Sequence, residues 1–425
     1  MKVYLDTVGC RLNQSEIEKF AREFRAVGHE LVNLPEKADL VVINTCTVTA
    51  AAASDSRQKI RQASRAGAGE IVVTGCWSTL NPREAIQLPS VDRVVTNNNK
   101  EKLVSDYLQI DAHDIDLEPI ARLPIPGARQ RTRAFIKVQD GCDNRCAFCI
   151  TTVARGKGQS LPIDHILADI HAALAGGAQE IVLTGVHLGS WGLDFFPKLS
   201  LRHLVQTVLA DTDTPRLRLS SIEPWDLDAD FFSLWGNQRL CRHLHLPLQS
   251  GSSGTLWRMA RGTTPESFAR LVNDARRRIP EVAITTDVIV GFPGETEAEF
   301  AESLAFIHGM SFAGGHVFTY SARPHTAAAN MPQQIPHSIR KARNAQVRSV
   351  LGDAAIEYQQ KNLGKELSVL WERVQPIGDH CWQHDGLSDN YLRISAQTSQ
   401  NLWNCITPVH LQRIDNRTII GQVLE

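Results

Sequence analysis

The sequence predicts an α/β protein in three parts: an N-terminal open parallel-sheet domain over residues 1–122, a central partial (βα)6 barrel over 128–358, and a small C-terminal β-barrel over 359–425. Three observations predict it. Short β-rich runs alternate with helical periodicity in the first part, six further strand-like runs follow with helices between most of them, and beyond residue 360 the pattern changes to short strands and turns.

In the first part the strand runs are Val3 to Leu5, Leu40 to Ile43 and Ile71 to Val73, with helices from about Asn13 to Val27 and through Ala50 to Ala66. Turn formers dominate from about 98 to 128 and end in Leu123-Pro124-Ile125-Pro126-Gly127, which reads as a linker. The six runs of the second part are Phe135 to Val138, Ile181 to Val186, Leu217 to Ile222, Leu244 to Leu248, Ile284 to Val290 and His316 to Tyr320. Helical stretches such as Ile163 to Leu174, Phe268 to Arg278 and Glu297 to Ile307 lie between them, so a ligand site belongs at the carboxyl ends of the strands. After a helix near 337 to 360, Gly364, Gly386, Asn390 and Gly421 punctuate what reads as a five-stranded barrel.

The chain has 425 residues, 43% hydrophobic and 21% charged, which is ordinary globular composition. Its first residues, MKVYLDTVGC, lack an apolar run, and no stretch of about 18 apolar residues could span a bilayer. The expected location is the cytoplasm, away from any membrane, with the oligomeric state left open. A formal net charge of -1 excludes a global basic field. Any RNA contact must then be local, at Arg129, Arg131 and Arg133, at Arg276 to Arg278, or at Arg340, Lys341, Arg343 and Arg348, each run being equally a solvated face.

Nine cysteines in a reducing compartment point to metal ligation or catalysis rather than disulfides. Cys10, Cys46 and Cys76 each follow a strand run in the turn to the next helix. In a parallel sheet those turns share the carboxyl edge, where three thiols can converge. Gly9 and Gly75 beside them suit close backbone approach to a bulky ligand. Cys241, Cys381 and Cys405 read as packing or surface residues.

Cys142-Asp-Asn-Arg-Cys146-Ala-Phe-Cys149 follows the first barrel strand, and its spacing gathers three thiolates around one compact 4Fe-4S cluster. Three thiolates leave a fourth iron open. Such an iron can chelate the amino and carboxylate groups of S-adenosylmethionine (SAM) and reduce its sulfonium, releasing a 5'-deoxyadenosyl radical that removes an unactivated hydrogen. A zinc site would need a fourth protein ligand that no neighbouring His or Cys supplies.

Across nearly its whole length the chain resembles the radical SAM methylthiotransferase family. The resemblance rests on Gly9 to Asn13 (GCRLN), Asn44 to Thr49 (NTCTVT), Thr74-Gly75-Cys76, Gly141 to Ile150, Leu183 to Gly189 (LTGVHLG), Ser220 to Pro224 (SSIEP), Leu246 to Gly251 (LPLQSG) and Gly291 to Glu295 (GFPGE). It implies an N-terminal methylthiotransferase domain, a radical SAM barrel and a C-terminal TRAM domain. It further implies two 4Fe-4S clusters, the second, auxiliary one held by Cys10, Cys46 and Cys76 to supply the inserted sulfur. SAM would serve both as methyl donor and as radical source, fed by a flavodoxin-like or ferredoxin-like one-electron donor.

By the same resemblance, the stretch Thr184, Gly185, Val186, His187 holds the SAM amino group by backbone contact, the His187 side chain being either catalytic or a satisfied loop histidine. Phe148 lines the adenine region or packs on the first strand. Glu223 and Gln249, at the ends of the third and fourth strands, reach SAM or substrate, or make structural hydrogen bonds.

The start Gly-Cys-Arg-Leu-Asn and the stretch from Thr184 to Gly189 look most like the branch acting on N6-threonylcarbamoyladenosine at tRNA position 37. The alternatives are isopentenyladenosine at that position, an aspartate of a small-subunit ribosomal protein, or a non-catalytic iron-sulfur RNA-binding protein. From Gln359 to Glu425 six Lys or Arg face seven Asp or Glu, so the C-terminal module alone is not an electrostatic clamp for tRNA. Trp371, Trp382, Tyr391 and Trp403 in it can stack on bases or fill the barrel core. Departures from the family pattern are Gln159 and Leu161, where relatives commonly carry arginines, and His325, where a glycine is usual.

Overall fold

The computed structural model describes residues 1–111, 115, 123, 125–126, 132–378 and 380–424. Most of the expected linker, its junctions at 122 and 128, and Arg129 and Arg131 lie outside the described residues.

The N-terminal unit holds β1 (Lys2–Thr7), α1 (Arg11–Ala26), β2 (Glu30–Leu31), β3 (Leu40–Thr45), α2 (Ala50–Arg65), β4 (Glu70–Gly75), α3 (Cys76–Leu80), α4 (Pro82–Ile86), β5 (Val91–Val95) and α5 (Leu103–Leu108). Its sheet is parallel throughout, in the order β2-β1-β3-β4-β5. Every residue of β3 is buried, as a central parallel strand requires when both faces are covered. Val3, Leu40, Val42 and Val72 pack with Phe20 and Phe24 of α1, while Val41, Ile43, Ile71 and Val73 pack with Ile60 of α2. The edge strands escape a periodicity reading because β2 is two residues long and Asp92 and Arg93 interrupt the valines of β5.

The central unit begins with β6 (Arg133–Lys137), the short hairpin partners β7 (Gln139–Asp140) and β8 (Gln159–Ser160), and α6 (Thr151–Arg155) between them. It continues through α7 (Ile163–Ala175), β9 (Glu180–Thr184), α8 (Leu201–Asp211), β10 (Arg216–Leu219), β11 (His243–His245), α9 (Ser253–Arg258), α10 (Pro265–Arg278), β12 (Ala283–Val290), α11 (Glu297–Gly309), β13 (Gly314–Thr319) and α12 (His337–Gln360). Parallel β6-β9-β10 and parallel β11-β12-β13 are joined by single bridges, Leu217 to Leu240 and Ser221 to His245, giving one open arc of six strands in chain order. Helix N-termini are set by sequence: Thr264 and Thr296 each form a capping box with the residue three positions on, Ser267 and Glu299. The core is continuous from Ile136 through Leu183, Leu217 and Ile284 to Phe268 and Phe312. Truncating a fully buried ring such as Phe268 to alanine costs about 3–5 kcal/mol.

The C-terminal strands β14 (Glu366–Gly378), β15 (Cys381–Ser388), β16 (Arg393–Thr398), β17 (Ile406–Asp415) and β18 (Thr418–Val423) close into a barrel in the order β14-β15-β16-β18-β17 around Trp371, Ile394, Val409 and Leu411. It is locked to the central arc by buried arginines of β10. Arg216 donates to the carbonyls of Ser368 and Leu387, and Arg218, paired with fully buried Glu180, donates to those of Ser388 and Asp389. Among the described residues no helix is long and apolar enough to cross a membrane.

Several arginines named as local RNA contacts have other employment. Arg343 is buried against Glu295 and Glu297, Arg340 donates to the carbonyl of Tyr320, Arg276 to those of Met310 and Ser311, and Arg133 pairs with Glu372. Those side chains close loops and seams rather than offering a basic face.

Candidate functional site

Cys10 stands at the N-terminus of α1, Cys46 directly after β3, and Cys76 directly after β4, so three adjacent strands deliver three thiols to one edge of the sheet. The backbone is pressed tight around them. A Cβ on Gly9, at φ +111, would lie 2.5 Å from Cys46 Sγ, and one on Gly75, at φ +99, would lie 2.3 Å from the Thr45 carbonyl oxygen. Asn13 ties the turn by donating to the carbonyls of Val8 and Thr45 and accepting from Cys10 Sγ at 3.6 Å. Burial pushes the Cys46 thiol up to about 11 and raises Cys10 also. None of the three is in a disulfide.

Arg155, at the end of α6, reaches this edge from the central unit. Its Nε donates to Cys76 Sγ at 3.3 Å, Nη1 to Glu16 and Asp140, and Nη2 to Asn13 Oδ1 at 2.8 Å. Asn97 donates to the same sulfur at 3.6 Å and to the carbonyl of Ala154 at 2.7 Å. Glu16 is buried with Lys100 at 2.6 Å. Arg155 and Lys100 hold its carboxyl well below the ordinary range against the opposing effect of burial.

The second trio lies on the loop between β7 and α6. Cys149 N–H closes a turn on the Cys146 carbonyl at 3.1 Å, Asn144 N–H donates to Cys142 Sγ at 3.4 Å, and Arg261 Nη1 donates to Cys146 Sγ at 3.6 Å. Three of the six sulfurs, those of Cys76, Cys142 and Cys146, accept from N–H groups, as the sulfurs of cluster-ligating thiolates do. By donor set, three soft thiols each, both trios suit an iron-sulfur cluster.

The remaining residues expected at the site sit as follows. His187 is buried, its Nε2 on Asp226 Oδ2 at 2.7 Å and its backbone N–H on Gln139 Oε1 at 2.8 Å. Burial works against its charge, but hydrogen bonds with Asp226 and Cys142 outweigh it and lift the imidazole to about 10. Glu223 grips Arg261, whose guanidinium also lies over the Trp225 ring at 4.6 Å. Gln249 is held at φ +68 between β11 and β12, and its buried Oε1 has no hydrogen-bond partner among the described residues. Phe148 meets Phe292 edge-on at 6.4 Å. Gly185 and Val186 line a cavity of about 910 Å³ that also opens onto Cys10, Cys46 and Cys76 and runs past Ser221, His245 and Asp287 inside the strand arc.

Sequence reasoning passed over Arg155, Arg261, Asp226 and Gln139. Each acts through a partner distant in the chain, and the only local signal is a charged or amide residue inside an otherwise apolar or Gly-rich motif. Of the departures, Leu161 packs on the central core, Gln159 lies in the edge hairpin, and His325 adopts φ +69, a left-handed conformation in which glycine is unstrained.

Residues 136–307 match the radical SAM superfamily and residues 2–96 the uncharacterized protein family UPF0004. The fold is similar to that of the radical SAM methyltransferase TsrM from Kitasatospora setae, with a TM-score of 0.59 over 77% of this chain and 75% of that one at 16% identity. Fold and sequence together define a radical SAM enzyme. Among curated relatives, the threonylcarbamoyladenosine tRNA methylthiotransferase MtaB of Bacillus subtilis is 34% identical over 432 residues, covering 96% of this chain and 93% of that one. The tRNA-2-methylthio-N(6)-dimethylallyladenosine synthase of Wolinella succinogenes is 30% identical over 433 residues, covering 100% and 99%. The chain belongs to the radical SAM methylthiotransferase family, and SAM and 4Fe-4S clusters are accordingly its cofactors.

Proposed function

We propose that this enzyme places a methylthio group on C2 of N6-threonylcarbamoyladenosine at position 37 of tRNA, in the cytoplasm, with a flavodoxin-like or ferredoxin-like protein as electron donor. The observation that carries it is the cavity onto which the Cys10, Cys46, Cys76 edge and the strand ends at Gly185 and Val186 both open. A nucleoside held there lies against the edge that carries Cys10, Cys46 and Cys76 and reaches the strand end at Thr184, Gly185 and Val186. The assignment of substrate follows the relatives named MtaB, at 34–36% identity for those of Bacillus subtilis, Aquifex aeolicus and Thermotoga maritima.

In this reading Cys142, Cys146 and Cys149 hold one cluster and Cys10, Cys46 and Cys76 the other, within domains at 128–358 and 1–122, and a TRAM-like domain at 359–425 meets the tRNA. When bound, the clusters and SAM supply hydrogen-atom abstraction and a methylated sulfur. The chain's own residues position these. Gln139 pins the backbone of His187 and so sets the loop at Gly185 and Val186 for the polar end of SAM. Arg261 donates toward Cys146, so that sulfur sits beside fixed positive charge, and Asn144 donates its backbone N–H to the sulfur of Cys142. Glu223 acts by holding Arg261, Gln249 Oε1 is left for a polar group of the ligand, and Phe148 offers its ring to the adenine.

Deleting the gene and digesting total tRNA for mass spectrometry tests the reading. The methylthiolated nucleoside should vanish and its threonylcarbamoyl precursor accumulate; an unchanged level rejects the proposal, and loss of the methylthio-isopentenyl nucleoside instead moves the enzyme to the other tRNA branch.

A further inference from the structure

The cavity is unevenly charged in a protein of formal net charge -1. Arg11, Arg155, Arg393 and Arg417 line it, against a single lining carboxylate, Asp287, which already faces His245 at 3.3 Å. Arg155 is neutralised by Glu16 and Asp140. Among the described residues Arg11, Arg393 and Arg417 make no ion pair. Uncompensated guanidinium groups around a cavity call for an anionic occupant.

The three are not alike. Arg393 and Arg417 are exposed, as flexible contacts to a phosphate backbone are. Arg11 is half-buried and next to Cys10. It lies 5.9 Å above the Phe135 ring, and its Nη2 donates to the Tyr391 hydroxyl at 3.2 Å. Tyr391 is itself fixed, stacked on His243 at 4.0 Å and 4°. The guanidinium is therefore held in place without being neutralised, and its other N–H groups remain to receive a planar anion in the forked geometry that a carboxylate matches.

We propose that Arg11 is a specificity-determining residue that pairs with the carboxylate of the threonylcarbamoyl group. The inference rests on the substrate reading above and deepens it. An uncharged alkyl substituent on the same nitrogen would leave the guanidinium desolvated and unpaired, so discrimination comes from a penalty on the wrong substrate as well as a gain on the right one.

The test uses cluster-loaded wild type and Arg11→Gln, each with tRNA bearing threonylcarbamoyladenosine and with the same tRNA after conversion of its threonyl carboxylate to the methylamide. Wild type should lose about 10- to 100-fold in kcat/KM on the amide, the scale of hydrogen bonds to charged groups. Arg11→Gln should lose a similar factor on the acid and distinguish acid from amide by less than about threefold on the same scale. Equal use of acid and amide by wild type overturns the pairing while leaving the substrate reading intact, and this arm needs no variant to fold. An Arg11→Gln enzyme that still discriminates fully also overturns it. Wild type that ignores both tRNAs and modifies isopentenyladenosine overturns pairing and substrate reading together.

Discussion

Arg155 donates its Nε–H to the sulfur of Cys76 at 3.3 Å across the seam between the central arc and the N-terminal sheet. Because α6 begins at Thr151, two residues after Cys149, one short helix ties both cysteine trios to the same side chain. Replacing Arg155 by glutamine removes a buried cation beside Cys76 and leaves Glu16 to Lys100 and Asp140 to Lys137. Loss of one of several partners in such a buried network costs up to about 3 kcal/mol. The reduction potential of the cluster at Cys10, Cys46 and Cys76 should fall, because positive charge and hydrogen bonds at sulfur favour the reduced state. Redox titration followed by electron paramagnetic resonance checks it. Arg155→Lys, with charge but no fork, should fall between wild type and Arg155→Gln.

The trios should be separable. Wild type reconstituted with iron and sulfide should carry about eight irons, and either triple alanine variant about four. Alanine at Cys10, Cys46 and Cys76 should spare SAM cleavage to 5'-deoxyadenosine and abolish sulfur insertion, whereas alanine at Cys142, Cys146 and Cys149 should abolish both. Iron analysis with product chromatography reads each arm.

Gly9→Ala should act on iron content rather than on global fold. Its new methyl would meet Cys46 Sγ at 2.5 Å and the backbone would have to leave φ +111, at a strain of about 1–3 kcal/mol. The expected result is partial loss of one cluster's visible absorbance with the far-ultraviolet circular dichroism retained.

Stability near pH 7 should rise in Glu23→Gln. Burial lifts the Glu23 carboxyl to about 7, despite Lys19 at 3.6 Å, and its Oε2 is buried without a partner among the described residues. An acid whose folded value exceeds its unfolded one binds more protons when folded, so stability falls as pH rises between about 4.5 and 7. At pH 8 the glutamine should gain about 3 kcal/mol at most, and at pH 4 almost nothing. Thermal midpoints at the two pH values check it.

The parts legible in the sequence were those with local signals. The run of three cysteines at 142, 146 and 149, the placement of Cys10, Cys46 and Cys76 after strands, and the six apolar runs of the arc all declare themselves within a few residues. Register and long-range pairing do not. Nothing near Asp226 announces that it will meet His187, nor near Tyr391 that it will stack on His243 and hold Arg11. Arg276, Arg340 and Arg343 read equally as RNA contacts or as a solvated face because helical spacing shows a charged face but not the carbonyls and carboxylates that dock against it.

The central claim is sulfur insertion into a threonylcarbamoyl-modified tRNA, and the most direct measurement is mass spectrometry of that nucleoside after anaerobic incubation with cluster-loaded protein, SAM and a reductant. The account predicts a nucleoside heavier by about 46 Da, a hydrogen replaced by a methylthio group, formed together with 5'-deoxyadenosine. Release of 5'-deoxyadenosine with the nucleoside mass unchanged would contradict it.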